Sequence, residues 1–281
     1  MELSPLQEQL MIKRLGTAAL LIPCVIAIVS WGPQWSFLLS IEIFLLVAIW
    51  EIFQLMKKLG APGLVINAGL IASAPLVWNF SESLGIKFIL LAPFFILALS
   101  LRSSSNLRNA LHSASLNLLA FLYLGIPFSL AVLLRGEPGL TANWPDDLVV
   151  IFVTVWISDS AAFFVGRTLG KHHVTPNLSP GKSLEGFLAG MFVPALGMAW
   201  LGPSVLPGQS SVLFFFLLGL TLGLTAIIGD LFEAMIKRAA NVKDASNLGP
   251  GHGGVLDRMD SLLFAIPWYY MFYQAASLFQ S

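Results

Sequence analysis

Cysteine is almost absent from this chain of 281 residues: Cys24 is the only one, so no disulfide can form within the chain. Charge is also scarce, since Asp, Glu, Lys and Arg together make up 11% of the residues. The 15 bases balance the 15 acids, which argues against a nucleic-acid partner. No internal repeat or low-complexity segment is visible, and the first apolar run lacks the small-residue site of a cleavable signal.

Apolar residues fill the chain instead, at 57% of the sequence with a mean hydropathy of +0.82. Soluble domains have about 45–50%. Several runs reach the roughly 20 residues that cross a bilayer, so we predict an all-α, polytopic integral membrane protein with about nine transmembrane helices. The predicted spans are residues 15–31, 35–56, 62–79, 85–101, 111–134, 147–166, 184–202, 211–229 and 259–279. Kinks are expected at Pro23, Pro93 and Pro127.

The distribution of basic residues predicts how the chain crosses the membrane. If the N-terminus is cytoplasmic, every lysine and arginine except Lys87 and Arg135 falls on the cytoplasmic side of these spans. The C-terminus then lies outside, and we expect an active site that faces the cytoplasm in a bacterial inner (plasma) membrane. Residues 1–140 are predicted to form an N-terminal transmembrane part of about five spans. Residues 141–281 are predicted to form a C-terminal catalytic transmembrane region with two cytoplasmic active-site loops.

Two further features of the membrane part are open to more than one interpretation. Residues 1–14 are either an amphipathic segment on the membrane surface or a frayed terminus. Acidic residues inside spans are either functional or structural, because an isolated charge is costly there. The pattern favours a function for Asp159, leaves Glu51 open, and favours a structural reading of Glu42, as a hydrogen bond between helices or a neutral carboxyl group.

The loop before the seventh span carries a candidate anion site. Ser183 is a predicted N-cap, and Lys182 stands beside the free N–H groups of that helix start. The loop resembles a phosphate-binding loop only loosely, with no full Walker pattern. His172 and His173 are either metal ligands or surface residues, and adjacent side chains that point apart favour the surface.

Residues 229–260 concentrate charge most strongly, with five carboxylates, four bases and a histidine in 32 positions. Asp230, Glu233 and Lys237 share one helix face, although Glu233 and Lys237 are equally well explained as a surface pair. Carboxylates hold divalent cations, and bases hold phosphate oxygens. Glycines allow the backbone to approach a ligand closely. The stretch therefore predicts chemistry on a phosphate ester.

The same residues carry a resemblance to a known family. Lys237-Arg238, Lys243-Asp244, residues 250–254 and residues 257–260 together resemble the signature of phosphatidate cytidylyltransferases (CDP-diacylglycerol synthases). Asp159, Gly166-Arg167 and residues 179–186 are similar to a second region of that family, and Glu51 fits a glutamate in its second span. The likeness covers about residues 150–270. The chain departs from the family pattern at Ala234, where a serine is usual, and at Gly249, Gly181 and residues 160–163.

The resemblance implies transfer of CMP from CTP to phosphatidic acid, with Mg²⁺ as cofactor. It implies Asp230 and Asp257 as the principal metal ligands, supported by Asp260 and Asp244. The residues expected to hold the phosphates are Lys182, Lys237, Arg238, Lys243 and Arg258, with His252 positioning a phosphate or the turn. The other expected substrate-binding residues are Asp159, Arg167, Ser179, Ser183, Glu185, Gly253 and Gly254. Whether a second, monovalent cation takes part and whether the protein forms a homodimer are left open.

Three alternatives remain at this point. A CTP-dependent polyprenol or phytol kinase would share the nucleotide chemistry but act on an alcohol. An ion-coupled transporter would use Asp159 and Glu51 as an ion path, and would not need the cytoplasmic His-Gly-Gly turn. A relative with reduced activity is suggested by Ala234, because alanine removes a hydroxyl that could bind metal or phosphate.

Overall fold

The computed structural model describes residues 23–61, 65–100, 106–136, 146–176, 178–205, 211–246, 248 and 253–278. Regular structure in these residues is helical, apart from isolated bridge residues: His173 and Ser183, which form an antiparallel bridge, and Gly253. The helices are α1 (residues 23–31), α2 (Gln34–Lys58), α3 (Val65–Phe80), α4 (Glu82–Ser100), α5 (Leu107–Ala120), α6 (Ile126–Gly136), α7 (Asp147–Leu169), α8 (Leu184–Val205), α9 (Val212–Ala239) and α10 (Leu256–Leu278). The residues before 23, with the predicted amphipathic segment, and residues 249–252, with Gly249 and His252, lie outside this description.

Six helices in the described residues are long and apolar enough to cross a membrane: α2, α4, the continuous helix from α5 to α6, α7, α8 and α9. A helix suits a bilayer because it satisfies its own backbone hydrogen bonds. The all-α fold and the membrane-protein class are therefore confirmed. The shorter α3 has 16 residues, and the count of nine spans stays a prediction.

Helix α9 extends ten residues beyond the predicted span that ends at residue 229. Its start at Val212 is capped by Ser211, whose hydroxyl accepts a hydrogen bond from the N–H of Phe214 at 3.3 Å. It ends where Asn241 adopts a left-handed backbone conformation with φ of 55°. The expected continuation of the helix into the charged segment is thus confirmed, and α9 carries Asp230 to Lys237 as one rigid unit.

A π-helical turn, Phe121–Gly125, joins α5 to α6 next to one of the predicted kinks. Pro127 has no N–H to donate to the carbonyl four residues earlier, so a regular α-helix is interrupted there. The widened turn absorbs this defect, and the helix continues to Arg135. It also sets the direction of Tyr123, which is almost fully buried.

Small residues bring α7, α8, α9 and α10 into close contact. Ser158 on α7 donates to the carbonyl of Gly190 on α8 at 2.7 Å. A methyl group on Gly223 of α9 would collide with that same carbonyl. Lower on α9, a methyl group on Gly229 would lie 2.5 Å from the carbonyl oxygen of Asp260 on α10. Backbones that approach this closely need glycine at the crossing, as is common between membrane helices.

Contacts between connections show which helix ends lie together. The His112 ring bonds the carbonyl of Leu59 at 3.0 Å, which joins the start of α5 to the end of α2. Arg238 donates to the carbonyl of Leu178 at 3.3 Å, which joins the end of α9 to the loop after α7. Glu51, in the C-terminal part of α2, accepts the N–H of Val255 at 3.0 Å, which joins α2 to the loop after α9. The C-terminal ends of α2, α7 and α9 are therefore on one side, which we call the charged end.

Candidate active site

The last three turns of α9 present an acidic and basic face at the charged end. Lys237 forms an ion pair with Glu233 one turn earlier, as the i, i+4 spacing allows. The alternative of a simple surface pair is wrong, because the side chain of Glu233 is 1% exposed and that of Lys237 is 13% exposed. A buried carboxylate and a buried ammonium must remain paired, so this face of α9 has a fixed geometry.

Lys237 also joins α9 to the first turn of α10. Its ammonium donates to Oδ1 of Asp257 at 2.6 Å. Oδ2 of Asp257 accepts from the N–H of Gly254 at 2.6 Å and of Ala245 at 3.0 Å. Burial raises the pKa of the Asp257 carboxyl, but the bonds from Lys237 and the Gly254 N–H outweigh burial and leave that pKa below its ordinary value. Asp257, which lies ahead of the predicted span 259–279, is therefore an ionised anchor for the loop.

Lys182 reaches the same place from the loop between α7 and α8. The N–H of Leu184 donates to the carbonyl of His172 at 2.8 Å, and the N–H of Val174 donates to that of Lys182 at 3.3 Å, which closes the loop. Ser183 caps α8 by accepting from the N–H of Gly186 at 3.2 Å, as predicted. The ammonium of Lys182 then forms an ion pair with Asp230 on α9. The two charged loops therefore meet at one site.

Three carboxylates gather between the two lysines. Asp159 on α7 and Asp260 on α10 each interact electrostatically with Asp230, and with one another. The hydroxyl of Ser261 holds Asp159. Within the described residues, no three acidic, histidine or cysteine side chains are arranged to hold a metal ion by themselves. The ligand set Asp230, Asp257 and Asp260 therefore stays a prediction, and three donors already occupy the oxygens of Asp257.

Glu51 on α2 is fully buried at this site, a contact that the sequence did not predict. Its carboxylate accepts the hydroxyl of Ser246 and the N–H groups of Val255 at 3.0 Å and Leu256 at 2.7 Å. It therefore caps the start of α10 from another helix. The signals in the sequence were an acidic residue near the end of an apolar span and its likeness to a glutamate of the family's second span.

Tyr123 is a second buried residue that the sequence did not single out. Its hydroxyl has no hydrogen-bond partner among the described residues, and its ring packs edge-on against Phe232 at 5.2 Å between centroids. The phenol interacts electrostatically with Glu233, Asp260, Asp230 and Asp257. Nothing in its local sequence marks it, because only the π turn and the helix packing direct it to the acids.

The remaining predicted residues surround this centre. Arg167 is exposed and lies over the ring of Phe163 at 5.9 Å. Glu185 accepts hydrogen bonds from the N–H groups of Lys171 and His172, and its Oε1 is 2.6 Å from Nδ1 of His172, which lies at the surface as favoured. Ser179 accepts the N–H of Lys182 at 3.1 Å with its carbonyl.

The other charged residues of the second loop lie at the surface. Lys243, Asp244 and Arg258 are exposed. The guanidinium of Arg238 donates hydrogen bonds to the carbonyls of Leu178 and Val242. Gly253 adopts a left-handed conformation with φ of 71°, as its place in the turn requires. His252 lies outside the described residues, so its predicted role stays a prediction.

Comparison with known proteins gives matches over most of the chain. Residues 12–276 match the model of the family described as the cytidylyltransferase family. A phosphatidate cytidylyltransferase of Bacillus subtilis is 35% identical over 236 residues, which is 80% of this chain and 83% of that one. One of Staphylococcus aureus is 31% identical over 80% of this chain and 85% of its own. One of Haemophilus influenzae is 43% identical over 130 residues, 45% of either chain.

Proposed function

Because the chain belongs to the cytidylyltransferase family, and is therefore a nucleotidyltransferase, we propose that it transfers CMP from CTP to phosphatidic acid. The products are CDP-diacylglycerol, a precursor in phospholipid biosynthesis, and pyrophosphate. Relatives that carry the name phosphatidate cytidylyltransferase support this choice of substrates. The charge pattern of the site supports it independently.

The observation that carries the proposal is a cluster of acids between two partly buried lysines. Lys182 comes from the loop before α8 and Lys237 from the end of α9, and both lie at the charged end of the helices. Two polyanions that must react need cations from more than one side, since their mutual repulsion opposes the encounter. The ammonium groups bind phosphate oxygens, and Asp159, Asp230 and Asp260 supply the negative charge that attracts a divalent cation.

The proposed step is a single in-line displacement. An oxygen of the phosphatidate phosphate forms a bond to the α-phosphorus of CTP, while the bond from that phosphorus to the oxygen bridging to the β-phosphate breaks. Pyrophosphate leaves with that bonding pair. The attacking phosphate monoester is largely ionised at neutral pH, because its second pKa is about 6, so no protein base is needed. Lys182 and Lys237 orient the reacting phosphates and offset their charge.

The acids fit Mg²⁺ as the cofactor. This ion is commonly held by one or two carboxylates together with waters and substrate phosphates, so a site built entirely from protein ligands is not required. We assign Asp230 and Asp260 to this role, because Asp257 is engaged by Lys237 and two backbone N–H groups. When bound, the ion would neutralise phosphate charge and align the displacement.

The finer topology is also part of the proposal. Nine spans, with the N-terminus in the cytoplasm and the C-terminus outside, place the charged end in the cytoplasm where CTP is available. Support comes from the contacts that join the ends of α2, α7 and α9 on one side. Arg135 is at the other end, where it donates to the carbonyl of Val29 at 2.9 Å.

Labelled CTP distinguishes this reaction from its rivals. Purified protein is incubated with Mg²⁺, with phosphatidic acid or a polyprenol, and with CTP that carries ³²P at either the α- or the γ-phosphorus. We expect the α-label in CDP-diacylglycerol and no γ-label in any lipid. A γ-labelled lipid from a polyprenol substrate would instead identify a kinase, and no labelled lipid at all would favour a transporter. Chelation of Mg²⁺ should stop α-label incorporation.

A further inference from the structure

Glu51 connects a helix of the N-terminal half to the loop that carries the second set of site residues. Its carboxylate receives three donors that lie about 200 residues further along the chain: the hydroxyl of Ser246 and the N–H groups of Val255 and Leu256. The backbone of Gly254 lies directly against it, so that a methyl group at Gly254 would overlap the carboxylate. A fully buried carboxylate needs such donors to offset its lost hydration.

We propose that Glu51 is a positioning residue for the reaction proposed above, on which this inference rests: its carboxylate holds the start of α10 so that Asp257 meets Lys237. Nothing in the reaction requires Glu51 to touch a substrate. It acts at the positive end of the α10 dipole, where a negative charge is stabilising. Its two oxygens fix the N–H groups of the residues directly before Asp257.

The contacts form a continuous path from Glu51 to the phosphate-binding lysine. Glu51 accepts from Val255 and Leu256, and the next residue, Asp257, accepts from Lys237 at 2.6 Å. Asp257 also fixes Gly254, whose backbone lies against Glu51. A shift in the cap would therefore move Asp257 and release the ammonium of Lys237. Rate constants are sensitive to such shifts, since a displacement of about 1 Å can cost about 100-fold.

The role requires a carboxylate and not an amide. Glu51→Gln keeps the side-chain size but replaces one acceptor oxygen with an NH₂ group. Because every neighbour of the two oxygens donates a hydrogen bond, that NH₂ group would face another donor. Glu42→Gln is the matched control, because Glu42 is on the same helix nine residues earlier and its Oε1 has no hydrogen-bond partner among the described residues.

The experiment compares wild type, Glu51→Gln and Glu42→Gln by CTP:phosphatidate kinetics, thermal unfolding and hydrogen–deuterium exchange. For Glu51→Gln we expect kcat to fall about 10- to 100-fold, with the KM for CTP changed less than about threefold. Exchange should rise in peptides that cover residues 253–258 and stay unchanged in the rest of α10. Glu42→Gln should match wild type in both readouts. Ser246→Ala, which removes only one donor, should show the same pattern with a kcat loss of about two- to fivefold.

Several results would overturn the inference. These are unchanged exchange at residues 253–258 in Glu51→Gln, unchanged kcat despite faster exchange, or an equal loss of kcat in Glu42→Gln. If Glu51→Gln does not fold, Ser246→Ala decides by the same two readouts. A wild-type protein that makes no CDP-diacylglycerol would refute the proposed function, while the exchange comparison would still test the cap.

Discussion

Lys237 is the residue at which the charges of the site converge. It lies between Glu233, on its own helix, and Asp257, on the next one. The ammonium is 13% exposed and contacts two carboxylates, so it is held in one position and its three N–H groups are shared between the two acids. This arrangement gives Asp257 a measurable share in the stability of the protein.

Asp257→Asn should lower the free energy of unfolding at pH 7 by about 2 kcal/mol, because a hydrogen bond to a charged group is lost while Glu233 still pairs with Lys237. The difference from wild type should depend on pH in a defined direction. The folded-state pKa of Asp257 is lowered, so its stabilisation is fully present above the ordinary carboxyl pKa of about 3.9 and is lost as the pH falls through the lowered value. Thermal unfolding in detergent between pH 3 and 7 measures this.

Asp244→Asn is the control, since it removes an exposed carboxylate from the same loop and should change stability by less than about 0.5 kcal/mol. A difference between Asp257→Asn and wild type that is equally large at pH 3 and pH 7 would rule out the ion pair as its source. Turnover by Asp257→Asn should also fall sharply at pH 7, because Lys237 loses the partner that holds it toward α10.

At the scale of single residues, the sequence predicted which side chains share a helix face better than which side chains of different elements contact each other. Helix spacing was enough to place Asp230, Glu233 and Lys237 on one face. The ion pair between Lys182 and Asp230 joins two elements 48 residues apart, and spacing along the chain carries no information about such a contact. For the same reason the cap by Glu51 was left open. The approach of Tyr123 to the acids depends on a π turn, which had no signature beyond a nearby proline.

At the scale of elements, the crossing of α9 and α10 determines how near Asp230 lies to Asp260. The crossing point is Gly229, where the two backbones are in contact. Gly229→Ala should force the helices apart, lower the free energy of unfolding by about 1–3 kcal/mol and reduce CMP transfer more than the stability loss explains. Denaturation and kinetics of the purified protein measure both effects.

Gly197→Ala provides the comparison for that variant. Gly197 is also inside a helix, but a methyl group there would meet nothing within 4 Å. It should leave both stability and turnover close to wild type, or raise stability slightly through helix propensity. If Gly229→Ala behaves like Gly197→Ala, the close crossing does not position the two acids.

The helices themselves were largely predictable, because an apolar run in a bilayer can satisfy its backbone only as a helix. The residues at which the helices end were less predictable. α9 continues to Ala239 and α7 to Leu169, beyond the apolar runs that predicted them. Hydropathy marks the part of a helix that contacts lipid, whereas these helices end at turns in the loops that follow them. The last turns of α9 are stabilised by buried ion pairs, which hydropathy does not register.

At the scale of the whole molecule, the site contains residues from both of the parts that the sequence predicts, residues 1–140 and residues 141–281. Glu51 and Tyr123 belong to residues 1–140, whereas the lysines and aspartates belong to residues 141–281. Helices α2 and α6 also contact α10, and residues of all three helices belong to one hydrophobic core. The N-terminal helices are therefore part of the site's construction. The 1–140 fragment and the 141–281 fragment remain predicted units.

The proposed orientation can be tested with two single cysteines in a Cys24→Ser background. Thr168→Cys lies at the charged end and Ser83→Cys at the opposite one, and both positions are exposed. A membrane-impermeant maleimide should label Thr168→Cys only in inverted vesicles and Ser83→Cys only in right-side-out vesicles. Detergent should make both reactive, which controls for buried thiols. The reverse pattern would place the site on the outer face and contradict the cytoplasmic assignment.

The length of α9 has a consequence for how the enzyme meets its two substrates. Its 28 residues span about 42 Å at about 1.5 Å per residue, whereas the hydrocarbon core of a bilayer is about 30 Å thick. In the proposed topology, its last turns hold Lys237 at the depth of the lipid headgroups. For the proposed reaction, CTP reaches the site from the aqueous solution, whereas phosphatidate reaches it by diffusing within the plane of the bilayer. Diluting phosphatidate with a neutral lipid should then slow turnover even when the amount of phosphatidate per millilitre is unchanged, so its mole fraction in the bilayer is the concentration that the enzyme senses.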